Sequence, residues 1–318
     1  MTRHRAFPEL KRVALAGFGV VGQGVYARLA AASERFDVVG AFCRNPARHQ
    51  ANGLPPRLLT DRFDALAPFD ILVEAIGGVS PAEDIALAAL RRGADVVSAN
   101  KTLLSRRFET LHAAAAQSGA RLLYSAAVGG GVPMLEAVDE AAARGRLDRI
   151  DAVVNGTTNF VLDRIGAGFD LDDAVRLAQE AGYAEADPSA DIDGVDAAEK
   201  ISLLARRAFG AAIDPDDVAS DRLASIPISA IAGAQRRGAP FKQIASAWHE
   251  RDGVRCAVRL AQVSGDNPLA KPRLEENCLV ITPESGERVI LHGKGAGREP
   301  TADSVLADLL RLAPVRAT

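Results

Sequence analysis

Cysteine is scarce in this chain, and what there is does not cluster. Cys43, Cys256 and Cys278 are the 3 cysteines of 318 residues, far apart, odd in number and in no metal-ligand spacing. This excludes a disulfide framework and a cysteine-held metal site, and it reads as reduced thiols in a cytoplasmic protein. A basic excess is missing too. The formal net charge is -3, so the electrostatic footprint of a nucleic-acid binder is absent. No apolar run reaches the roughly 18 residues that a membrane span needs. The opening, MTRHRAFPELKR, is basic but lacks the apolar stretch and cleavage site of a secretory leader, and it reads as a short disordered arm. There is no internal repeat and no low-complexity segment.

What is present is an ordinary globular composition, 48% hydrophobic and 25% charged, in a chain long enough for two cores. From Lys11 onward short apolar runs alternate with helical patterns. RVALAG, FDVVGAFC, DILVEAIG, DVVSA and RLLYSAAV read as strands. VVGQGVYARLAAA, PAEDIALAALRRG and SRRFETLHAAAAQSG read as helices. Strands alternating with helices predict βαβ units, and runs without polar alternation predict strands buried on both faces of a parallel sheet. Near Gly129 to Pro133 the texture changes. VPMLEAVDEAAARG, LDDAVRLAQEAG (ending on Gly182 as a C-cap) and DAAEKISLLARRAFG read as helices. RIDAVVNGT reads as a strand or extended piece, CAVRLAQV, ENCLVITP and RVILHG as strands of a second sheet, and TADSVLADLLRLAP as a last helix.

GFGVVGQG places Gly17, Gly19 and Gly22 in the G-x-G-x-x-G spacing, between the first strand and the first helix. One glycine permits the tight turn, one lets a pyrophosphate approach the backbone, and one lets helix and strand pack closely. Phe18, Val20 and Val21 complete the loop, and the helix N-terminus offers free N–H groups and positive potential. The fold class expected is α/β, a Rossmann-type doubly wound parallel sheet, with an α+β domain after it. A ribose-binding acid is expected roughly 20 residues on, at the end of the second strand. Here Arg44 stands there, with Arg48 beyond. A guanidinium suits a 2′-phosphate, which favours NADP over NAD; the alternative is that the arginines are simply solvated.

The densest chemistry lies in GYAEADPSADIDGVDAAEK, from Gly182 to Lys200. Asp196 and Lys200 are four residues apart and share a helix face. Taken alone, this is an ordinary surface ion pair, Glu185, Asp187 and Asp191 are loop solvation beside Pro188, and NGTTN is turn and capping chemistry.

Together with VEAIGG, SANKTLL, AVGGGVPMLE, VNGTTNF and GKGAGREPTA, however, these motifs resemble homoserine dehydrogenase, from Val13 to Pro314. The resemblance implies interconversion of L-homoserine and L-aspartate 4-semialdehyde with NADP or NAD, in the route to threonine and methionine. It implies Lys200 as the proton-transfer lysine, Asp196 as the carboxylate that orients substrate, and Glu185, Asp191, Tyr183, Thr157 and Gly156 as substrate contacts. Lys101 is implied as a second active-site lysine near the nicotinamide. Gly77 is implied as a further cofactor contact, and Gly295, Ala296 and Gly297 as a loop closing over the cofactor. It also implies a discontinuous nucleotide domain, 1–130 with 295–318, and a substrate-binding and dimerisation domain, 131–294, in a homodimer.

Three departures from the family pattern stand out. The sequence ends soon after the last catalytic-unit helix, so threonine feedback through a regulatory domain is expected to be absent. Ser125 takes the place of a glutamate that helps hold Na+ or K+ beside Val128 and Gly130, which puts that site in doubt. Ala152 replaces a glycine ahead of NGT. The open alternatives are a paralogue acting on a related amino-acid aldehyde or alcohol, and a non-catalytic NADPH-binding sensor.

Overall fold

The computed structural model describes residues 10–49 and 53–314. The expected N-terminal arm lies outside them up to residue 9, and Lys11 and Arg12 already belong to the first strand. The chain divides into two units, one reaching Ala127 and resuming at Thr301, the other Val128–Pro300.

The first unit holds β1 (Lys11–Ala16), α1 (Val20–Ala31), β2 (Phe36–Phe42), β3 (Leu59–Thr60), β4 (Ile71–Glu74), α2 (Ala82–Arg91), β5 (Asp95–Ser98), α3 (Lys101–Ser118) and β6 (Leu122–Leu123). The strands form one parallel sheet in the order β3-β2-β1-β4-β5-β6. The order reverses at β1, so a crevice opens beyond the carboxyl ends of β1 and β4, where ligands bind in doubly wound folds. Val13 to Ala16 are all 0% exposed, which is why β1 shows no polar alternation.

The second unit holds α5 (Met134–Arg144), β7 (Leu147–Val153), α6 (Gly156–Gly166), α7 (Leu171–Glu180), α8 (Ser189–Ile192), α9 (Val195–Phe209), β8 (Ala219–Ser220), α10 (Ile228–Arg236), β9 (Phe241–Glu250), β10 (Gly253–Gln262), β11 (Glu276–Pro283) and β12 (Val289–Lys294), preceded by the short α4 (Ser125–Gly129) at the division. Its sheet runs β12-β11-β7-β9-β10-β8, antiparallel except for β8 on β10. Helix α9 buries Ala197, Ala198, Ile201, Leu204 and Ala205, a helical stripe that packs on β9 and β10. The last helix, α11 (Arg298–Leu312), sends Ala302, Val305, Leu309 and Leu312 into the core of the first unit beside Val13 and Leu15. Among the described residues no helix is long and apolar enough to cross a membrane.

Several local expectations are corrected. RLLYSAAV is a strand only at Leu122–Leu123, after which the chain turns into α4. The cause is distant: Asp308 accepts from the Ser125 amide at 2.9 Å and from its hydroxyl at 3.0 Å, capping the turn. RIDAVVNGT leaves the sheet at Val153, because the Asn155 side chain caps α6. Helix α3 starts four residues before the expected Ser105, at Lys101, capped by Asn100. Strand β9, central in the second sheet, shows no clean alternation because Lys242 is 0% exposed within it, its ammonium donating to the Pro272 carbonyl at 2.6 Å. Gly182 takes φ +77, one residue past the Ala181 C-cap of α7. Ala152 is accommodated in β7 opposite Leu279 and Ala245, at 0% exposure.

Candidate functional site

In the first unit a cleft of about 510 Å³ opens at the switch point, within the size range of ligand pockets. It is lined by Gly17, Phe18, Gly19, Arg44, Arg48, Ile76 and Gly77, among others. Gly17 sits at φ +100, and a Cβ there would lie 2.5 Å from the Ala75 carbonyl oxygen; one on Gly22 would lie 2.1 Å from that of Gly17. These two glycines make the turn and the helix–strand approach possible. Beside Gly19 there is open space, so the protein's own packing does not require a glycine there. The loop residues differ in what they offer. Phe18 is 1% exposed and packs edge-on against Tyr26 and His49, and Val21 leans on the same core. Their side chains serve the fold, which leaves only their backbone for a ligand. Val20 is exposed. Arg44 and Arg48, both exposed, stand past the end of β2, where a 2′-phosphate needs a cation. Glycines with no room for a Cβ, a helix N-terminus and two guanidiniums fit a phosphorylated dinucleotide. Lys101 lies just past β5 at the first position of α3.

In the second unit three elements bring polar groups together. Asn155 is the N-cap of α6, its Oδ1 accepting from the Thr158 amide at 2.7 Å. Its Nδ2 donates to Asp191 Oδ1 on α8 at 2.7 Å and to Asp196 Oδ2 on α9 at 2.9 Å. Lys200 Nζ donates to the same Asp196 oxygen at 2.8 Å and to the Val154 carbonyl at 2.7 Å. The Lys200 and Asp196 side chains are 13% and 9% exposed, so this is no solvated surface pair. An ammonium has three donors, and two of them are committed here, to Asp196 and to the Val154 carbonyl. Asp191 is pinned through its carbonyl by Thr158 Oγ1 and Gln243 Nε2. Burial, then the neighbouring Asp196 charge, push its carboxyl above the ordinary range, against the lowering pull of Asn155, Thr157 and Lys200.

The other expected residues are placed less centrally. Thr157 Oγ1 donates to the Tyr183 carbonyl at 2.6 Å, and Tyr183 stacks on Phe160 with its hydroxyl donating to Glu275. Gly156 is small because the chain passes over it: a Cβ would lie 3.0 Å from Glu275 Cα. Glu185 is exposed; its backbone carbonyl accepts from Gln179, and its carboxylate makes no hydrogen bond to the cluster. The Ser189 side chain, then its amide at 3.1 Å, hydrogen-bond to the Asp187 carboxylate and lower its pKa. Gly130 and Gly295 touch, a Cβ on the first falling 2.0 Å from the carbonyl oxygen of the second, so both are small for internal packing; Ala296 and Gly297 are exposed. Asn155 had only a capping role in the sequence. The signal for more was its place directly after β7 and ahead of two carboxylate-bearing helices.

The monovalent cation is a poor fit. Ser125 directs both of its donors at Asp308, whose charge is also paired with Arg311 at 3.2 Å. Val128 and Gly130 are buried and add no carboxylate, and among the described residues no group of three or more acidic, histidine or cysteine side chains could hold a metal ion.

The family model described as homoserine dehydrogenase matches residues 133–310, and the one described as homoserine dehydrogenase, NAD binding domain, matches residues 17–125. The homoserine dehydrogenase of Synechocystis sp. is 34% identical over 315 residues, covering 95% of this chain and 73% of that one. That of Corynebacterium glutamicum is 33% identical, covering 94% and 71%. The crystal structure of a homoserine dehydrogenase from Thiobacillus denitrificans superposes with a TM-score of 0.89 at 30% identity, over 96% of this chain and 75% of that one.

Proposed function

The chain belongs to the homoserine dehydrogenase family, NAD(P)-dependent oxidoreductases acting on a CH–OH group, and from that premise we propose how its own residues divide the work. The substrate pair is L-homoserine and L-aspartate 4-semialdehyde, with NADP preferred over NAD. The observation that carries this reading is the hydrogen-bonded cluster Asn155–Asp191–Asp196–Lys200, in which Asn155 ties Asp191 to the Asp196–Lys200 pair of the carboxylate-rich segment.

The cleft would hold a nicotinamide cofactor, whose chemistry when bound would be to give a hydride to the aldehyde carbon or take one from the alcohol carbon. Lys200 holds the proton side of the reaction. In reduction its ammonium polarises the carbonyl oxygen and gives that oxygen a proton as the alkoxide forms; in oxidation it takes the proton back. Asp196 and the Val154 carbonyl aim the ammonium. Asp191, with Glu185 from the exposed loop, receives the substrate's ammonium group, and Thr157, Tyr183 and Gly156 shape that end. Asn155 holds the two aspartates apart and in register. Gly17, Gly19 and Gly22 would seat the pyrophosphate, Gly77 and Gly297 would border the cofactor, and Arg44 would pair with the 2′-phosphate. Lys101 serves as a second active-site lysine. Turnover is independent of added Na+ or K+, since Ser125 brings no charge. The protein works in the cytoplasm as a homodimer built on the second unit's sheet, whose edge strand β12 exposes Ile290.

The test is to incubate the protein with L-homoserine and follow reduced cofactor, with NADP or NAD, with and without each cation, for wild type and Arg44→Gln. Faster turnover with NADP, lost as a preference in Arg44→Gln, is the expected result. Turnover with NAD alone discards the arginine assignment and keeps the reaction. Silence with both cofactors in a sample that binds NADPH sinks the proposal.

A further inference from the structure

VEAIGG, at the end of β4, contains one side chain that the chemistry above does not use. Glu74 is 0% exposed. Its Oε2 accepts from the Ser98 hydroxyl at 2.6 Å, and its Oε1 from the Ile76 amide at 2.9 Å and Asn100 Nδ2 at 3.2 Å. Burial pushes its pKa up while these donors pull it down. An apolar residue would fill a buried strand end with no charge to desolvate, so a carboxylate here needs a reason.

The reason lies in what its partners do next. Ile76 leads into Gly77 and Gly78, which both take left-handed φ, +87 and +71, and Gly77 lines the cleft. Ser98 Oγ, while donating to Glu74, accepts from the Asn100 amide at 3.1 Å. Asn100 Nδ2 also donates to the Gly78 carbonyl at 2.7 Å, and Asn100 Oδ1 caps α3 at the Leu103 amide, two residues on from Lys101 in the same first turn. One carboxylate thus ties the wall of the cleft to the helix start that carries a lysine.

We infer that Glu74 is a positioning residue: it braces the Ile76–Gly78 wall of the cofactor cleft and the first turn of α3, and through them Lys101. This rests on the reading of the cleft as the nicotinamide site. The bracing is done by acceptor oxygens. A glutamine can keep the bonds to Ile76 and Asn100 and reverse the one to Ser98, whose hydroxyl can accept as well as donate. An alanine leaves every donor without its partner.

The experiment compares Glu74→Ala, Glu74→Gln and Ser98→Ala with wild type in NADPH affinity by fluorescence titration, kcat, homoserine KM and Tm. Glu74→Ala is expected to raise the NADPH Kd at least about tenfold and lower kcat similarly, with homoserine KM within about twofold, because that KM rests on the Asn155 cluster. Glu74→Gln should stay within about threefold of wild type, and Ser98→Ala should fall between. A purely architectural glutamate would lower Tm and leave the Kd of the folded protein unchanged; that result overturns the inference. Glutamine as damaging as alanine overturns it too, since the amide keeps the bracing bonds. If Glu74→Ala does not fold, Ser98→Ala decides: an unchanged Kd refutes the brace and a raised one supports it. A wild type that binds NADPH but never turns over homoserine ends the substrate reading, while the Kd series still decides Glu74.

Discussion

Replacing Asn155 separates the two roles that its amide plays. Its oxygen caps α6, worth about 1 kcal/mol. Its nitrogen donates to two carboxylates, at 2.7 and 2.9 Å, and bonds to charged groups are worth about 1.5–3 kcal/mol each. Taking the low end of each, Asn155→Ala removes about 4 kcal/mol and Asn155→Ser, which retains a capping oxygen, about 3 kcal/mol. Urea unfolding at neutral pH reads both values, and a gap of about 1 kcal/mol between them isolates the cap. The kinetic consequence should not follow the cap. Both variants lose the nitrogen that keeps Asp191 and Asp196 in register, so kcat/KM for homoserine should fall by about tenfold to hundredfold in each. Asn155 also lowers the Asp191 pKa, so in both variants the acid limb of the kcat/KM profile should move to higher pH. An Asn155→Ser protein with wild-type kcat/KM and an unmoved acid limb would refute the reasoning, because its cap is intact and only the bridge is gone.

Asp191→Asn should stabilise the fold at neutral pH while weakening homoserine binding. The Asp191 carboxyl is raised above its ordinary 3.8 in the fold, so in the window between that value and the raised one the folded chain holds a proton that the unfolded chain has shed. Stability therefore falls as pH rises through that window and stays lower above it; the neutral amide escapes this loss, and a Tm at neutral pH no higher than wild type refutes the assignment. Glycine substitutions in the nucleotide loop should divide by cause. Gly22→Ala drives a Cβ to 2.1 Å from the Gly17 carbonyl oxygen and should cost about 1–3 kcal/mol in denaturant unfolding, whereas Gly19→Ala meets nothing within 4 Å and should keep its Tm while NADPH affinity falls; equal thermal behaviour of the two contradicts this division.

The elements that could be read in advance are those whose pattern is local. Strand β1 announces itself by an unbroken apolar run, α9 by its stripe from Ala197 to Ala205, and the nucleotide turn by three glycines in fixed spacing. Asp196 and Lys200 could be placed on one helix face from their spacing alone. Strand β9 was hidden because Lys242 is buried at a position where the period-2 pattern needs an apolar side chain, and α6 because NGTTNF looks like a turn until the cap is seen.

Sequence by itself determined the alternation of strands and helices in the first unit, its parallel sheet and the dinucleotide loop, and it placed Asp196 and Lys200 on one helix face. Only the tertiary structure decided whether those charges are solvated or buried, and who satisfies them. Asn155 reaches two aspartates on other helices, Ser125 bends the chain toward Asp308 across 183 residues, and Glu74 finds Ser98 and Asn100 on a neighbouring strand end. The physical reason is that periodicity is set by backbone geometry within a few residues, whereas a buried polar group must be hydrogen-bonded by whatever the fold brings beside it.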